Sequence, residues 1–243
     1  MTYCVAMALQ DGLLFASDSR TNAGVDHIAT FRKMHVFETA GERLVVLLSA
    51  GNLATTQSVI SLLRSRCGGD GASLLTVPTM YAAAELVGQA VREVIARDSG
   101  GEMTQGVDFS CSILLGGQIH GEAPRLFNVY AAGNFIEATE DTPYFQIGEA
   151  KYGKPIIDRV VRHDTALKEA LKCTLISFDS TIRSNLSVGL PVDVLSYRRD
   201  SYAPAKPYRV TEHDPYFNSI RQRWGAGLRQ VFSELDDAGW FEQ

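Results

Sequence analysis

The 243-residue chain lacks several features that would settle its class quickly. No apolar run is long enough to cross a bilayer as a helix. No excess of positive charge is present: Lys plus Arg is 23 against 28 Asp plus Glu, a net charge of −5. That balance leaves no electrostatic footprint for a nucleic-acid backbone or an anionic membrane, and neither is expected as a partner. The stretch from Met1 to Asp11 has no basic region, and its apolar run breaks at Gln10-Asp11. A secretory signal is therefore not expected, and the sequence reads as cytoplasmic. Cysteine is sparse: Cys4, Cys67, Cys111 and Cys173 are far apart and form no CxxC pair. Such spacing suggests reduced thiols, not a disulfide frame or a zinc site. No glycine-rich GxGxxG follows a strand, and no Walker A loop, HExxH or GxSxG occurs. The histidines (His27, His35, His120, His163 and His213) are scattered and read as surface or structural residues. Without a histidine placed beside a serine or cysteine, a Ser-His-Asp or Cys-His enzyme loses its footing, and an enzyme here needs another base.

What is present is an ordinary globular composition, 45% hydrophobic and 21% charged. Residues 1–243 read as a single domain; the best break, Gly68-Gly69-Asp70-Gly71, reads as a loop between helices. Tyr3–Gln10 and Leu13–Ser17 predict a hairpin around Asp11-Gly12. Lys33–Phe37 and Leu44–Ser49 predict a second strand pair, and the uninterrupted apolar Leu44–Leu48 predicts a strand covered on both faces. Asn52 is the expected cap of a first helix stopping at Gly68; Thr76-Val77-Pro78 opens a second that Gly100-Gly101 ends. Strands are expected at Phe109–Leu115, Arg125–Ala131, Phe135–Thr139 and Tyr144–Ile147, with turns at Gly116-Gly117 and Gly133-Asn134. Two helices follow over Ala150–Val161 and around Leu167 to Ile182, then strands at Val188–Tyr197 and Tyr208–Thr211. Asp214-Pro215 starts a last helix expected to turn Phe217, Ile220, Trp224, Leu228, Val231 and Leu235 inward. Strands and helices in blocks, not strict alternation, point to an α+β fold. Its antiparallel sheets would face each other and carry helix pairs outside.

A base is available at the start of the chain. Removal of Met1 would leave Thr2 with a free α-amine, whose ordinary pKa of about 7.7–8.0 lies close to neutrality. That amine can take the proton of its own residue's hydroxyl, directly or through one water, so no histidine is needed. The strand beginning at Tyr3 would hold this terminus on a rigid sheet.

Several segments carry a family resemblance: Met1-Thr2-Tyr3-Cys4-Val5, Ser17-Asp18-Ser19-Arg20-Thr21-Asn22-Ala23-Gly24-Val25, Phe31-Arg32-Lys33-Met34-His35-Val36-Phe37, Leu47-Leu48-Ser49-Ala50-Gly51-Asn52-Leu53-Ala54 and Ser184-Asn185-Leu186-Ser187-Val188-Gly189-Leu190-Pro191. Together they resemble the proteasome β-subunits, N-terminal-threonine hydrolases, and among these the bacterial proteasome-like Anbu family. The resemblance spans essentially the whole chain and implies a four-layer αββα sandwich. It implies that Thr2 is the nucleophile, Lys33 the lysine beside it, and Asp18 the aspartate pairing with that lysine. Gly51 would present its N–H to the oxyanion. Thr21 and Asn22 would lie on the segment that takes an extended substrate peptide as an added strand. No metal or organic cofactor is implied.

The chain departs from the general proteasome pattern in the supporting residues. Gly148-Glu149-Ala150 stands where β-subunits have a GSG turn. Ser187 can serve as the second supporting serine, but Ser184 holds the place of the preceding aspartate, with Asn185 beside it. A carboxylate moved to Glu149 is one way to rebuild this support. The resemblance further implies a homo-oligomer, a ring or ring-like stack, acting on peptides or unfolded proteins, with an unfoldase partner left open. Trp240 and Phe241 after the last helix fit either a subunit contact or packing onto their own helix. Three functions stay open: a threonine-type peptidase subunit, a catalytically weak assembly or scaffold protein of the same fold, and an amidase of the N-terminal nucleophile class acting on a small molecule.

Overall fold

The structure, a computed structural model, describes residues 2–22, 28–100 and 106–240. Met1, the 23–25 stretch, Gly101 and Phe241, all invoked above, lie outside the described residues. The first hairpin forms as the sequence indicates: β1 (Tyr3–Leu9) pairs antiparallel with β2 (Gly12–Asp18) from Cys4↔Ser17 to Leu9↔Gly12. The outer edge of β1 takes β10 (Tyr144–Gly148), and β2 takes β11 (Val192–Arg198), which pairs with β12 (Tyr208–Val210). The first sheet therefore runs β10-β1-β2-β11-β12. The second runs in chain order through β5 (Met34–Thr39), β6 (Arg43–Gly51), β7 (Cys111–Ile119), β8 (Arg125–Val129) and β9 (Phe135–Glu137), every pair antiparallel. Between β2 and β5 the chain makes a small ribbon, β3 (Arg20–Asn22) with β4 (Ile28–Thr30), too short to show a periodic pattern in the sequence.

The two sheets face each other. Leu44, Val46 and Leu48 of β6 meet Cys4, Ala6, Leu13 and Phe15 of the first sheet in the central core. Val45 and Leu47, alternate residues of the same strand, face outward onto α1 (Leu53–Arg66) and α2 (Met80–Ser99). A strand buried on both faces needs an apolar residue at every position, and each large side chain buried there stabilises by about 1.5–3 kcal/mol. On the far side, Tyr3, Val5 and Met7 pack against residues of α3 (Lys154–Val160), α4 (Leu167–Ser184) and α5 (Pro215–Glu234). The α+β, four-layer αββα sandwich expected from the sequence is the fold.

Helix starts follow the cap chemistry. The Asn52 side-chain oxygen accepts from the Thr55 N–H at 3.2 Å, and Asp214 Oδ1 from the Phe217 N–H at 2.7 Å, with Pro215 at the first helical position. The second helix opens later than expected: Thr79 is the cap, its hydroxyl accepting from the Ala82 N–H at 3.0 Å, and Pro78 lies outside it.

Two further expectations fail. Gly116-Gly117 is not a turn but the middle of β7. A Cβ at Gly116 would come within 2.8 Å of the Phe15 ring, and one at Gly117 within 2.1 Å of the Leu44 carbonyl oxygen. These glycines serve close approach between layers and strands. Along α5 only Phe217 is fully buried, and Ile220 packs on the outer core. Leu228, Val231 and Leu235 are exposed, as is Phe232 beside them. A 20-residue helix is about 30 Å long, and only its first half rests on α4.

Candidate active site

The site is assembled where three strand ends converge. Asp18 closes β2 and is fully buried. Its Oδ1 accepts from the Tyr3 N–H at 3.0 Å and from Lys33 Nζ at 2.7 Å. Lys33 precedes β5, is itself buried, and donates a second bond to the Arg20 carbonyl at 2.7 Å. One carboxylate thereby holds both the backbone following Thr2 and the lysine. Burial pushes the Asp18 carboxyl above its ordinary value, opposed by the Lys33 ammonium and by the N–H groups of Tyr3 and Gly189.

Thr2 is anchored from the other side. Its carbonyl accepts from the Glu149 N–H at 2.6 Å. Gly148, at φ +81°, makes this approach possible, since a Cβ there would lie 2.0 Å from the Thr2 oxygen. The next residue, Tyr3, is fully buried, with its ring 4.5 Å from that of Phe178. Its hydroxyl shares a hydrogen bond with the Ser177 hydroxyl at 3.1 Å and accepts from Gln146 Nε2 at 2.6 Å. Burial raises the phenol's pKa, so Tyr3 stays neutral. It acts as a peg that fixes where the chain begins.

The supporting residues form a connected set. Asn185 Nδ2 donates to Glu149 Oε2 at 3.0 Å, and Asn185 Oδ1 accepts from the Ser187 N–H at 2.9 Å. A carboxylate does stand at Glu149. Ser184, the last residue of α4, is exposed, so the carboxylate's partner is Asn185. Ser187 joins through its backbone and is not among the residues lining the cleft described next.

Thr2, Thr21, Lys33 and Gly51 all line one cleft of about 830 Å³ between the edge of the second sheet and α1. Asn22, the residue after Thr21, pairs with Ile28 in the ribbon. Gly51 ends β6 at φ +109°, where a Cβ would meet the Ser110 carbonyl oxygen at 2.5 Å, so no other residue fits without strain. Immediately beyond it the Asn52 N–H donates to that same carbonyl at 3.0 Å, and α1 begins. A larger hollow of about 1000 Å³, between the Glu140–Gln146 segment and α3, contains none of the residues singled out from the sequence.

Sequence reasoning missed part of the cleft wall. His35, read as surface or structural, lines it together with Arg32 and Arg64. Burial and the nearby Arg64 push the His35 pKa down to about 4, so its imidazole is neutral at pH 7. A period-two reading of β5 places His35 on the same face as Phe37, which packs on the helix layer. Nothing in the local sequence connects it to Arg64 of α1. Among the described residues no group of three His, Cys, Asp or Glu side chains is placed to hold a metal ion.

The proteasome subunit family model matches residues 2–194. Anbu (ancestral beta-subunit) from Yersinia bercovieri is 61% identical, with 98% of this chain and 99% of that one covered and a TM-score of 0.93. The structure described as the helical assembly of the Anbu complex from Pseudomonas aeruginosa is 60% identical, with 98% of each chain covered and a TM-score of 0.95. Anbu from Hyphomicrobium sp. strain MC1 is 51% identical over 98% of this chain and 99% of that one, at a TM-score of 0.89. No curated protein matches the chain. With its sandwich fold, its buried Asp18–Lys33 pair beside Thr2, and full-length identity of this order, the chain belongs to the proteasome subunit family, in its Anbu branch.

Proposed function

We propose that the chain is a threonine-type peptidase subunit of the N-terminal nucleophile class, activated by removal of Met1. The observation that carries this reading is the single carboxylate oxygen of buried Asp18 bonded to both the Tyr3 N–H and Lys33 Nζ, with Lys33 lining the same cleft as Thr2 and Gly51. The Thr2 hydroxyl oxygen attacks a peptide carbonyl carbon. Its proton passes to the Thr2 α-amine, directly or through one water. The Lys33 ammonium, positioned by Asp18, favours the developing alkoxide. The oxyanion of the tetrahedral intermediate faces the Gly51 N–H, and one such donor contributes about 3 kcal/mol to the transition state. Collapse expels the amine, which takes the proton from the α-ammonium and leaves an ester on Thr2. Water, deprotonated by the same amine, then hydrolyses that ester. Thr21 presents backbone to an extended substrate, with Asn22 next to it in β3. Ser187 supports the site through Asn185 and Glu149.

The same reading makes the protein a cytoplasmic homo-oligomer acting on peptides or unfolded polypeptides. The relative from Pseudomonas aeruginosa is described as a helical assembly. The exposed apolar row of Leu228, Val231, Phe232 and Leu235 on α5, continued by exposed Trp240, is the surface that subunit contacts would cover.

The test is covalent. The purified assembly is incubated with a β-lactone or peptide epoxyketone, and its N-terminal peptide is weighed. The expected result is an adduct on Thr2 in a chain lacking Met1, absent from the Thr2→Ala variant. A processed N-terminus that takes no adduct would overturn the peptidase reading in favour of a scaffold protein of the same fold. That second reading is favoured by the rebuilt Glu149–Asn185 support. Hydrolysis of small amides without hydrolysis of peptide libraries would mark it as an amidase.

A further inference from the structure

The cleft beside Thr2 is one-sided in charge. Its lining includes Arg32, Lys33 and Arg64 but, among the described residues, no Asp or Glu. Lys33 is consumed internally, since Asp18 and the Arg20 carbonyl take its bonds. The two arginines differ. Arg32 is exposed and lies within electrostatic range of Asp193. Arg64, in the last turn of α1, forms no ion pair within 4 Å among the described residues; its guanidinium lies over the Phe37 ring, 5.6 Å from the centroid. Beside it stands neutral His35, which cannot supply a counter-charge but can donate or accept one hydrogen bond. On α1 the wall is completed by Leu53, Thr56, Gln57, Ile60 and Ser61, an uncharged surface of two apolar and three polar side chains.

We propose that this wall selects an acidic side chain, Asp or Glu, on the residue whose carbonyl Thr2 attacks, with Arg64 as the specificity-determining cation. A guanidinium without a partner presents a planar fork that matches a carboxylate in two hydrogen bonds. The wall of the cleft, with Leu53 and Ile60 on it, keeps part of the water away from such a pair and strengthens it relative to open solvent. A neutral side chain of the same shape gains neither effect. A basic one meets Arg64, Arg32 and Lys33 with nothing among the described lining to offset them. The identity of the attacked carbonyl rests on the proposed hydrolase reading; the preference of the cleft for a carboxylate does not.

Two measurements separate these. In the first, equilibrium binding to the assembled Thr2→Ala protein is compared for otherwise neutral peptides carrying one Glu or one Gln. The Glu peptide is expected to bind about tenfold tighter at low salt, an advantage that shrinks as salt rises. Arg64→Gln should abolish the advantage and Arg64→Glu should reverse it; Arg64 is exposed, so both variants are expected to fold. Equal affinities for the two peptides, or a Glu advantage that survives Arg64→Gln, would overturn the proposal. In the second, epoxyketones ending in Glu, Gln or Leu are compared for their rate of Thr2 labelling. Labelling without preference for Glu sinks the specificity claim and leaves the hydrolase standing. Failure of every probe, with the binding preference intact, sinks the hydrolase and leaves a carboxylate-selective cleft.

Discussion

Asn185 Nδ2 donates to Glu149 Oε2 at 3.0 Å, and the Glu149 N–H in turn donates to the Thr2 carbonyl at 2.6 Å. The loop after α4 is thus tied, through one residue, to the start of β1. The residue that carries this carboxylate is the one whose backbone holds Thr2, whose amine is the proposed base. A nearby negative charge raises the pKa of an amine. Glu149→Gln is therefore expected to move the acid limb of the Thr2 labelling rate to lower pH with little change in unfolding. Glu149→Ala should additionally lose about 1.5–3 kcal/mol, the worth of a hydrogen bond to a charged group. An unmoved pH profile in Glu149→Gln would reduce Glu149 to a structural tie.

The Asp18–Lys33 pair is buried on both sides, at 0% and 6% side-chain exposure. Removing one partner strands the other charge away from water. Asp18→Asn is expected to cost about 3–5 kcal/mol in denaturant unfolding, and the Asp18→Leu/Lys33→Met double variant less than either single change. All of these should lose Thr2 labelling. Retained labelling in the double variant would show that Lys33 does not tune the nucleophile.

His35 gives the cleft a pH dependence of known sign. Its pKa is about 4 in the folded chain against 6.5 in the unfolded one, so the unfolded state binds the proton first as pH falls. Stability from this group is complete above pH 6.5, is lost progressively between pH 6.5 and about 4, and changes no further below. The loss is at most about 3 kcal/mol. Urea unfolding of the His35→Gln variant should lack this slope, and a wild-type slope retained in the variant would assign it to other groups.

The exposed face of α5 should matter to assembly and not to the fold. Phe232 is 77% exposed and meets no core cluster of its own chain. Phe232→Asp is expected to dissociate the oligomer in light scattering. The far-ultraviolet circular dichroism should stay unchanged. An intact oligomer would place the subunit contacts elsewhere.

Much of this site was legible in the order of residues. The β1–β2 hairpin was visible from Asp11-Gly12, and the doubly covered β6 from its apolar run, because each is dictated by local pattern. Thr2 as nucleophile candidate came from its place next to Met1 together with the family resemblance of the segments around it. Gly51 at a strand-to-helix junction was readable from the polarity change at Asn52. Where sequence reasoning failed, distant contacts decided the matter. Gly116 and Gly117 look like a turn, but they pair within β7, where the approach of Phe15 and Leu44 leaves no room for a Cβ. The inward stripe of α5 is correct as a helical pattern, but among the described residues the core clusters reach only its first half.

The amino-acid sequence by itself determined the strand and helix blocks, the caps that start α1 and α5, and the place of Thr2 directly ahead of β1. These depend on neighbours within a few positions. Only the tertiary structure decided that Asp18 and Lys33 share one hydrogen bond in a dry interior. The same holds for Asn185, 36 positions from Glu149, which reaches its carboxylate, and for Arg64 of α1, which lines the same cleft as His35. Those relations join residues from separate layers. Their existence depends on the register of the strands and the packing of helices on sheets, which no local pattern encodes.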